Sequence, residues 1–245
     1  MKKNLIILEG SCDGVGKTTQ LKLLKQRLIN EKKEIIDHHF PSYGVYQGEP
    51  IERYLKGEFG LQNEISPYFV ANLYANDRAI TWYSELKKAY ENEKIILLDR
   101  YTTSSLIYQS ALIEDIEEKK KFIDYVSDLE YNKLGIAKPS QVIFLEAPFE
   151  LTNRIRTLRK DNDGVKSDIH ERNLEYLKKV YESALFVAEY LSWDIIKCNI
   201  GNELKSIDDI HEEIYQLVKK NIWLLIKQKV WFFFFFYRLF KSFIL

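Results

Sequence analysis

The chain has 245 residues and 46% hydrophobic content, enough to bury the core of one α/β domain. Its 36 basic and 36 acidic side chains cancel, which argues against a dedicated nucleic-acid binder, whose affinity rests on a basic footprint. Two cysteines, Cys12 and Cys198, give neither a disulfide framework nor metal-ligand spacing, as expected in a reducing cytoplasm.

The first predicted strand, Leu5–Leu8, runs into a glycine-bearing loop, and the loop runs into a helical pattern with Leu21, Leu24 and Leu28 on one stripe. No secretory leader is expected, because this short apolar run flows straight into the loop. The loop, GSCDGVGKTT from Gly10 to Thr19, ends in Gly16-Lys17-Thr18-Thr19. Strand, glycine loop and helix in this order form a phosphate cradle, in which loop N–H groups and the helix dipole converge on an anion. Asp13, Gly14, Val15, Gly16, Lys17, Thr18 and Thr19 are the candidate nucleotide ligands. Lys17 is set to reach the β/γ-phosphates and the Thr18 hydroxyl to hold Mg²⁺. Between Gly10 and Gly16 the loop has one residue more than the standard P-loop spacing, placed at Ser11 or Cys12.

Further strands are predicted at Glu34–His38, Ile95–Leu98, Gln141–Leu145 and Trp193–Lys197. Helical patterns occupy Ile65–Asn92, Glu117–Lys133, Asp168–Tyr190 and Ile207–Lys220, the first of them opened by Ser66-Pro67. Buried strands alternating with helices predict a parallel sheet with crossover connections. Ligands bind at the carboxyl ends of such strands. Phe40-Pro41-Ser42-Tyr43 follows the second strand, and Asp99-Arg100-Tyr101 follows the third. Asp99 suits Mg²⁺ or its waters, and Arg100 suits a phosphate. Tyr74 and Arg78 share a helix face, an aromatic to stack on a base and a cation to read its edge, although such a pair alone is commonly core. Ser104, Ser105 and Tyr108 fall one turn beyond Arg100. The charged stretch between Arg156 and Asp168 is too polar for core and is predicted to be a mobile lid. From Ile222 the chain ends in an aromatic, basic tail with five consecutive phenylalanines, Phe232–Phe236. Lys227, Lys229, Arg238 and Lys241 interrupt it too often for a spanning helix, which needs about 20 apolar residues. An interfacial role is open; an appended or extra packed segment is the favoured reading.

With LEG..DGVGKTTQ, FPSYG, ANLYANDRA, DRYTTSSLIYQ and VIFLEAP in this order, the chain resembles thymidylate kinases (dTMP kinases), which are P-loop nucleoside-monophosphate kinases, over roughly Met1 to Lys220. The resemblance implies a P-loop NTPase-type parallel five-stranded sheet flanked by helices, with a lid at about 156–168 and residues 221–245 as a separate tail. It implies Mg²⁺-dependent transfer of the ATP γ-phosphoryl group to dTMP, in a homodimer. Lys17 and the loop amides then bind ATP, and Asp13 faces the junction of the two nucleotides. Arg100 holds the dTMP phosphate with help from Tyr43 in the Phe40-Pro41 loop. Tyr74 stacks on thymine, Arg78 bonds its edge, Ser104 and Ser105 line the base pocket, and Tyr108 packs on the sugar. Two departures matter. Some thymidylate kinases carry a catalytic arginine directly after the loop aspartate, where this chain has Gly14, so Arg159 or Arg156 of the lid is expected to supply that cation. Many also carry an arginine in the FP loop, where Ser42 and Tyr43 are not basic. Two alternatives stay open: a deoxynucleoside kinase using Glu9 as base toward thymidine, and a P-loop switch.

Overall fold

The computed structural model describes residues 4–12, 14–61, 64–163 and 173–222, with residues 158–163 as backbone only. Asp13, the lid beyond residue 163 and the tail from residue 223 lie outside the described residues.

Five strands, β1 (Leu5–Gly10), β2 (Ile35–His39), β3 (Ile95–Asp99), β4 (Gln141–Glu146) and β5 (Asp194–Lys197), form one sheet in the order β2-β3-β1-β4-β5. Every pairing is parallel. The two faces of β1 show why: Ile6 and Leu8 enter one apolar cluster, while Leu5 and Ile7 enter another. A strand with no solvent face must be central, and the helices on both sides supply its cover. Helix α1 (Lys17–Asn30) and the helix at 207–222 (α9) cover one face through Leu21, Leu24, Leu28, Ile210, Ile214 and Val218. On the other side Trp82 and Leu86 pack on Leu5, Ile7, Ile96 and Leu98. A third cluster joins α5 (Thr102–Tyr108), α6 (Ile116–Ser127) and α8 (Leu174–Tyr190) to Phe144 of β4.

Several boundaries differ from the sequence reading. Between α1 and α3 the chain forms an additional helix, α2 (Glu49–Leu55), whose Ile51, Tyr54 and Leu55 pack with Val70. The long pattern at 65–92 is α3 (Pro67–Thr81), a π-turn at Trp82–Leu86, and α4 (Lys87–Glu91). A second π-turn, Asp128–Lys133, extends α6. The polar stretch from Arg156 begins as helix, because α7 spans Phe149–Asp163. Its low apolar content concealed a helix anchored by Leu151 and Thr152, both buried, one turn earlier. A two-stranded hairpin, β6 (Asn199–Ile200) with β7 (Glu203–Leu204), leads into α9.

Candidate active site

The P-loop leaves β1 at the centre of the sheet. Ser11 continues the strand ladder, its N–H donating to Leu145 O at 2.9 Å, and its hydroxyl exchanges bonds with the Ala147 backbone. Cys12 Sγ lies 2.7 Å from Thr152 Oγ1 of α7. The residues of the supernumerary position are therefore buried ties between loop, β4 and α7, and the turn Gly14–Thr18 keeps its form beyond them. Gly14 sits at φ 100°, and a Cβ there would lie 3.1 Å from Thr152 O and 3.6 Å from Arg156 N. Helix α7 thus occupies the space into which a longer side chain at position 14 would project.

Gly16 at φ 98° precedes α1, so the first free N–H groups of the helix face the loop. Lys17 is buried, and its ammonium donates to Cys12 O at 3.4 Å. The Thr18 hydroxyl donates to Asp99 Oδ2 at 3.0 Å. Gly14, Gly16, Lys17, Thr18, Thr19, His39, Asp99 and Arg100 line a cavity of about 260 Å³ over this loop.

Asp99, the last residue of β3, is buried, and its Oδ1 has no hydrogen-bond partner among the described residues. Burial pushes its carboxyl upward, but the His39 hydrogen bond and the charges of Lys17 and Arg100 outweigh that and leave it below the ordinary aspartate value. An ionised carboxylate with one oxygen on a threonine hydroxyl and the other unclaimed is a hard-oxygen donor set that fits Mg²⁺. Arg100 follows at φ 67°, in the left-handed region. For a residue with a Cβ this conformation costs about 1 kcal/mol or more. It turns the side chain back over the strand ends, where its guanidinium carbon stands 5.0 Å from the centroid of the Tyr108 ring.

Beside this cavity lies a second one of about 200 Å³. Its wall contains every candidate acceptor ligand: Phe40, Pro41, Tyr43, Tyr74, Arg78, Arg100, Ser104, Ser105 and Tyr108. His39 and Arg100 line both cavities, so the two share part of their walls at the ends of β2 and β3. The loop after β2 is fixed from below. Asp77 accepts from Ser42 N at 2.9 Å, Ser42 Oγ meets His38 Nε2 at 3.0 Å and Thr81 Oγ1 at 3.2 Å, and Glu52 accepts from Gly44 N at 2.7 Å. A Cβ on Gly48 would lie 1.9 Å from Ser42 O, so only glycine lets α2 start against this loop.

The floor of the second cavity is an ion pair that the sequence reading did not contain. Arg78, 1% exposed, donates from Nε and Nη2 to Glu130 at 2.7 and 2.6 Å, from Nη2 to Ser105 Oγ at 2.7 Å, and from Nη1 to Tyr101 O at 3.3 Å. Among the described residues, four of its five N–H groups find partners, leaving one on Nη1. Burial opposes the charge on Arg78, and Glu130 more than restores it. Glu130 is fully buried and accepts from Thr102 Oγ1 as well, at 2.7 Å. Ser104 lines the cavity but spends its hydroxyl proton elsewhere, on Glu9 Oε2 at 2.6 Å, beside Thr103 Oγ1 at 3.0 Å.

A model of the thymidylate kinase family matches residues 8–214. Over 221 residues the chain is 31% identical to a probable thymidylate kinase of Thermococcus gammatolerans, covering 89% of this chain and 96% of that protein. It is 32% identical over 219 residues to a probable thymidylate kinase of Thermococcus kodakarensis, covering 87% and 96%. The chain belongs to the thymidylate kinase family. A thymidylate kinase of a Thermoanaerobacter species is 29% identical over 90% of this chain and 99% of its own length. The five-stranded parallel sheet flanked by helices is the architecture expected of such a kinase.

Within this thymidylate kinase framework, two residues expected at the base are also tied to protein partners. Arg78 is first a structural cation, with one donor left for a ligand. Ser104 is a clamp on Glu9. Glu130 and His39 went unnoticed in the sequence: Glu130 lies inside an amphipathic helical pattern, and His39 stands one residue before the FP pair. The adjacency of His39 to a predicted strand end was the one signal available for it. Arg156 donates from Nη2 to Asn153 Oδ1 at 2.7 Å on α7, whereas the side chain of Arg159 and the whole of Asp13 lie outside the described residues. No helix among the described residues is long and apolar enough to cross a membrane.

Proposed function

We propose that the chain transfers the γ-phosphoryl group of ATP to dTMP, giving dTDP. The observation that supports this reading is the wall that the two cavities share at Arg100: one cavity lies over the P-loop, and Tyr74, Arg78 and Tyr108 line the other. An acceptor whose base enters beside Tyr74 brings its 5′-phosphate to Arg100, facing the triphosphate end of the P-loop. Such a transfer depends on alignment and charge neutralisation rather than on covalent help. Lys17 and the loop N–H groups hold the donor phosphates, and Arg100 neutralises the acceptor phosphate. The one free N–H of Arg78 meets an edge acceptor on the base. Thr18 and Asp99 would hold Mg²⁺, which when bound shields the negative charge of the phosphate oxygens.

Asp13 is assigned to the junction of the two nucleotides. Arg159, with Arg156 next, is assigned to deliver the lid cation, which suits the entry of α7 beside Gly14. A homodimer and a cytoplasmic location complete the proposal; a sequence whose two cysteines give no disulfide framework suits a reducing compartment.

Phosphorylation of thymidine itself would need a carboxylate able to accept the 5′-hydroxyl proton. Glu9 is fully buried, holds the hydroxyls of Thr103 and Ser104 and the N–H of Gly10, and lines neither cavity. It anchors α5 to β1 and does not present itself to an acceptor. The deciding experiment is a steady-state assay of ATP turnover with dTMP, thymidine and ribonucleoside monophosphates in parallel. A lost charged hydrogen bond costs about 1.5–3 kcal/mol, so thymidine should be poorer than dTMP by at least ~10-fold in kcat/KM. Arg100→Ala should remove much of that margin. Thymidine outperforming dTMP in direct competition would refute the assignment.

A further inference from the structure

We propose that His39 is a positioning residue that fixes the Asp99 carboxylate with Oδ1 presented to the metal, an inference that rests on the Mg²⁺ reading above. His39 ends β2 and is in register with Asp99 across the β2–β3 ladder. Its Nδ1 lies 3.3 Å from Asp99 Oδ2, the same oxygen that accepts from Thr18. Two donors on one oxygen, from opposite neighbours, leave a carboxylate little freedom to rotate about its terminal bond. The consequence is visible in Oδ1, which is buried and unclaimed among the described residues. An unpaired buried carboxylate oxygen is costly unless a ligand completes it. Here the fixed oxygen and the vacant oxygen belong to one side chain, as required if the outer partner sets the orientation of an inner ligand.

The ring is itself held. It stacks against Tyr43 with centroids 6.2 Å apart and an interplanar angle of 28°. Asp99 is buried, whereas the His39 side chain is half exposed. His39 stands beside Asp99 where the walls of the two cavities meet. Loss of the ring frees Asp99 to turn Oδ1 toward solvent, so the expected defect lies in metal affinity rather than in the binding of either nucleotide alone.

The test compares His39→Gln, His39→Ala and His39→Asn, with Asp99→Asn as control and Mn²⁺ as probe. Asparagine places an amide N–H close to the position of Nδ1, whereas glutamine carries its amide one atom further out. Calorimetry gives the ATP dissociation constant without metal and with saturating Mn²⁺, and the ratio of the two reports metal binding in the complex. The glutamine and alanine variants should lower this ratio about tenfold, asparagine should keep most of it, and metal-free ATP and dTMP affinities should stay at wild-type values. An undiminished ratio in the glutamine and alanine variants overturns the inference, as does an asparagine variant as poor as glutamine. Weakened dTMP binding with an intact ratio would place His39 on the acceptor instead and also overturns it. If Asp99→Asn leaves the ratio unchanged, the metal-site reading itself fails. If Asp99→Asn lowers it while the His39 variants do not, only the role of His39 fails.

Discussion

Glu130→Ala tests whether the floor of the acceptor cavity is built as described. The substitution removes a carboxylate that is 0% exposed and accepts from Arg78 Nε, Arg78 Nη2 and Thr102 Oγ1 at 2.6–2.7 Å. What remains is a guanidinium 1% exposed, facing Ser105 Oγ and Tyr101 O, with only the more distant charge of Asp77 to oppose it among the described residues. Breaking one side of a buried pair costs about 3–5 kcal/mol, because the surviving charge stays desolvated. For a domain of this size that corresponds to a fall in Tm of roughly 6–20 °C. The informative partner is the double variant Arg78→Met/Glu130→Leu, which removes both charges and fills the space with apolar groups. It should regain most of the lost stability, since replacing a buried pair by packed hydrophobes is often neutral or favourable. Its kcat/KM for dTMP should nevertheless stay depressed, because the last Nη1 donor has gone. Urea unfolding of wild type, Arg78→Met, Glu130→Leu and the double variant at fixed protein concentration measures the coupling, and acceptor kinetics of the same four proteins measure function. A cost below about 1 kcal/mol for Glu130→Ala would refute the buried pair. A stable double variant with unchanged dTMP kinetics would refute the role of Arg78 at the base.

Lys17→Ala should lower turnover at least ~100-fold with the fold retained, as judged by circular dichroism; near-normal turnover would remove the P-loop from the reaction. Burial holds His38 below the ordinary histidine value, against a smaller opposing pull from Glu85. The unfolded chain therefore takes up the proton first, so this contribution to stability is intact above about pH 6.5 and fades as pH falls through the folded-state value. His38→Gln, which can still bond Ser42 Oγ, should flatten the fall in Tm between about pH 7 and about pH 5; an unaltered slope would show that another group governs it. Alanine at Arg156 and Arg159, singly and together, should reduce kcat more than it raises KM, and unchanged turnover in the double variant would reject the lid assignment. A chain ending at Ile222 should remain folded and active, the cut being placed there because Ile222 packs against the core cluster around Leu24 and Val218; loss of the folded state would show that residues 223–245 contribute to it.

Legibility in the sequence followed the range of the interactions. The parallel sheet was readable because β1, β3 and β4 are short apolar runs, and a strand buried on both faces leaves no other pattern. The P-loop is readable because its signature is local: Gly14, Gly16, Lys17 and Thr18 fall within five residues of chain. The nine residues expected at the acceptor come together because strand ends converge by topology, and all nine line one cavity. The partners of those residues were not readable. Glu130 meets Arg78 across 52 positions and Ser104 meets Glu9 across 95, and nothing in either neighbourhood distinguishes a buried carboxylate from one on a solvated helix face. Helix α7 is not legible for the complementary reason: Glu150 and Arg154 are exposed, and its two anchors, Leu151 and Thr152, are too few to make a period. Buried polar groups must find hydrogen-bond partners wherever the fold supplies them. Local pattern can therefore name residues that line a cavity, while the residues that hold them in place emerge only once the chain has been folded around them.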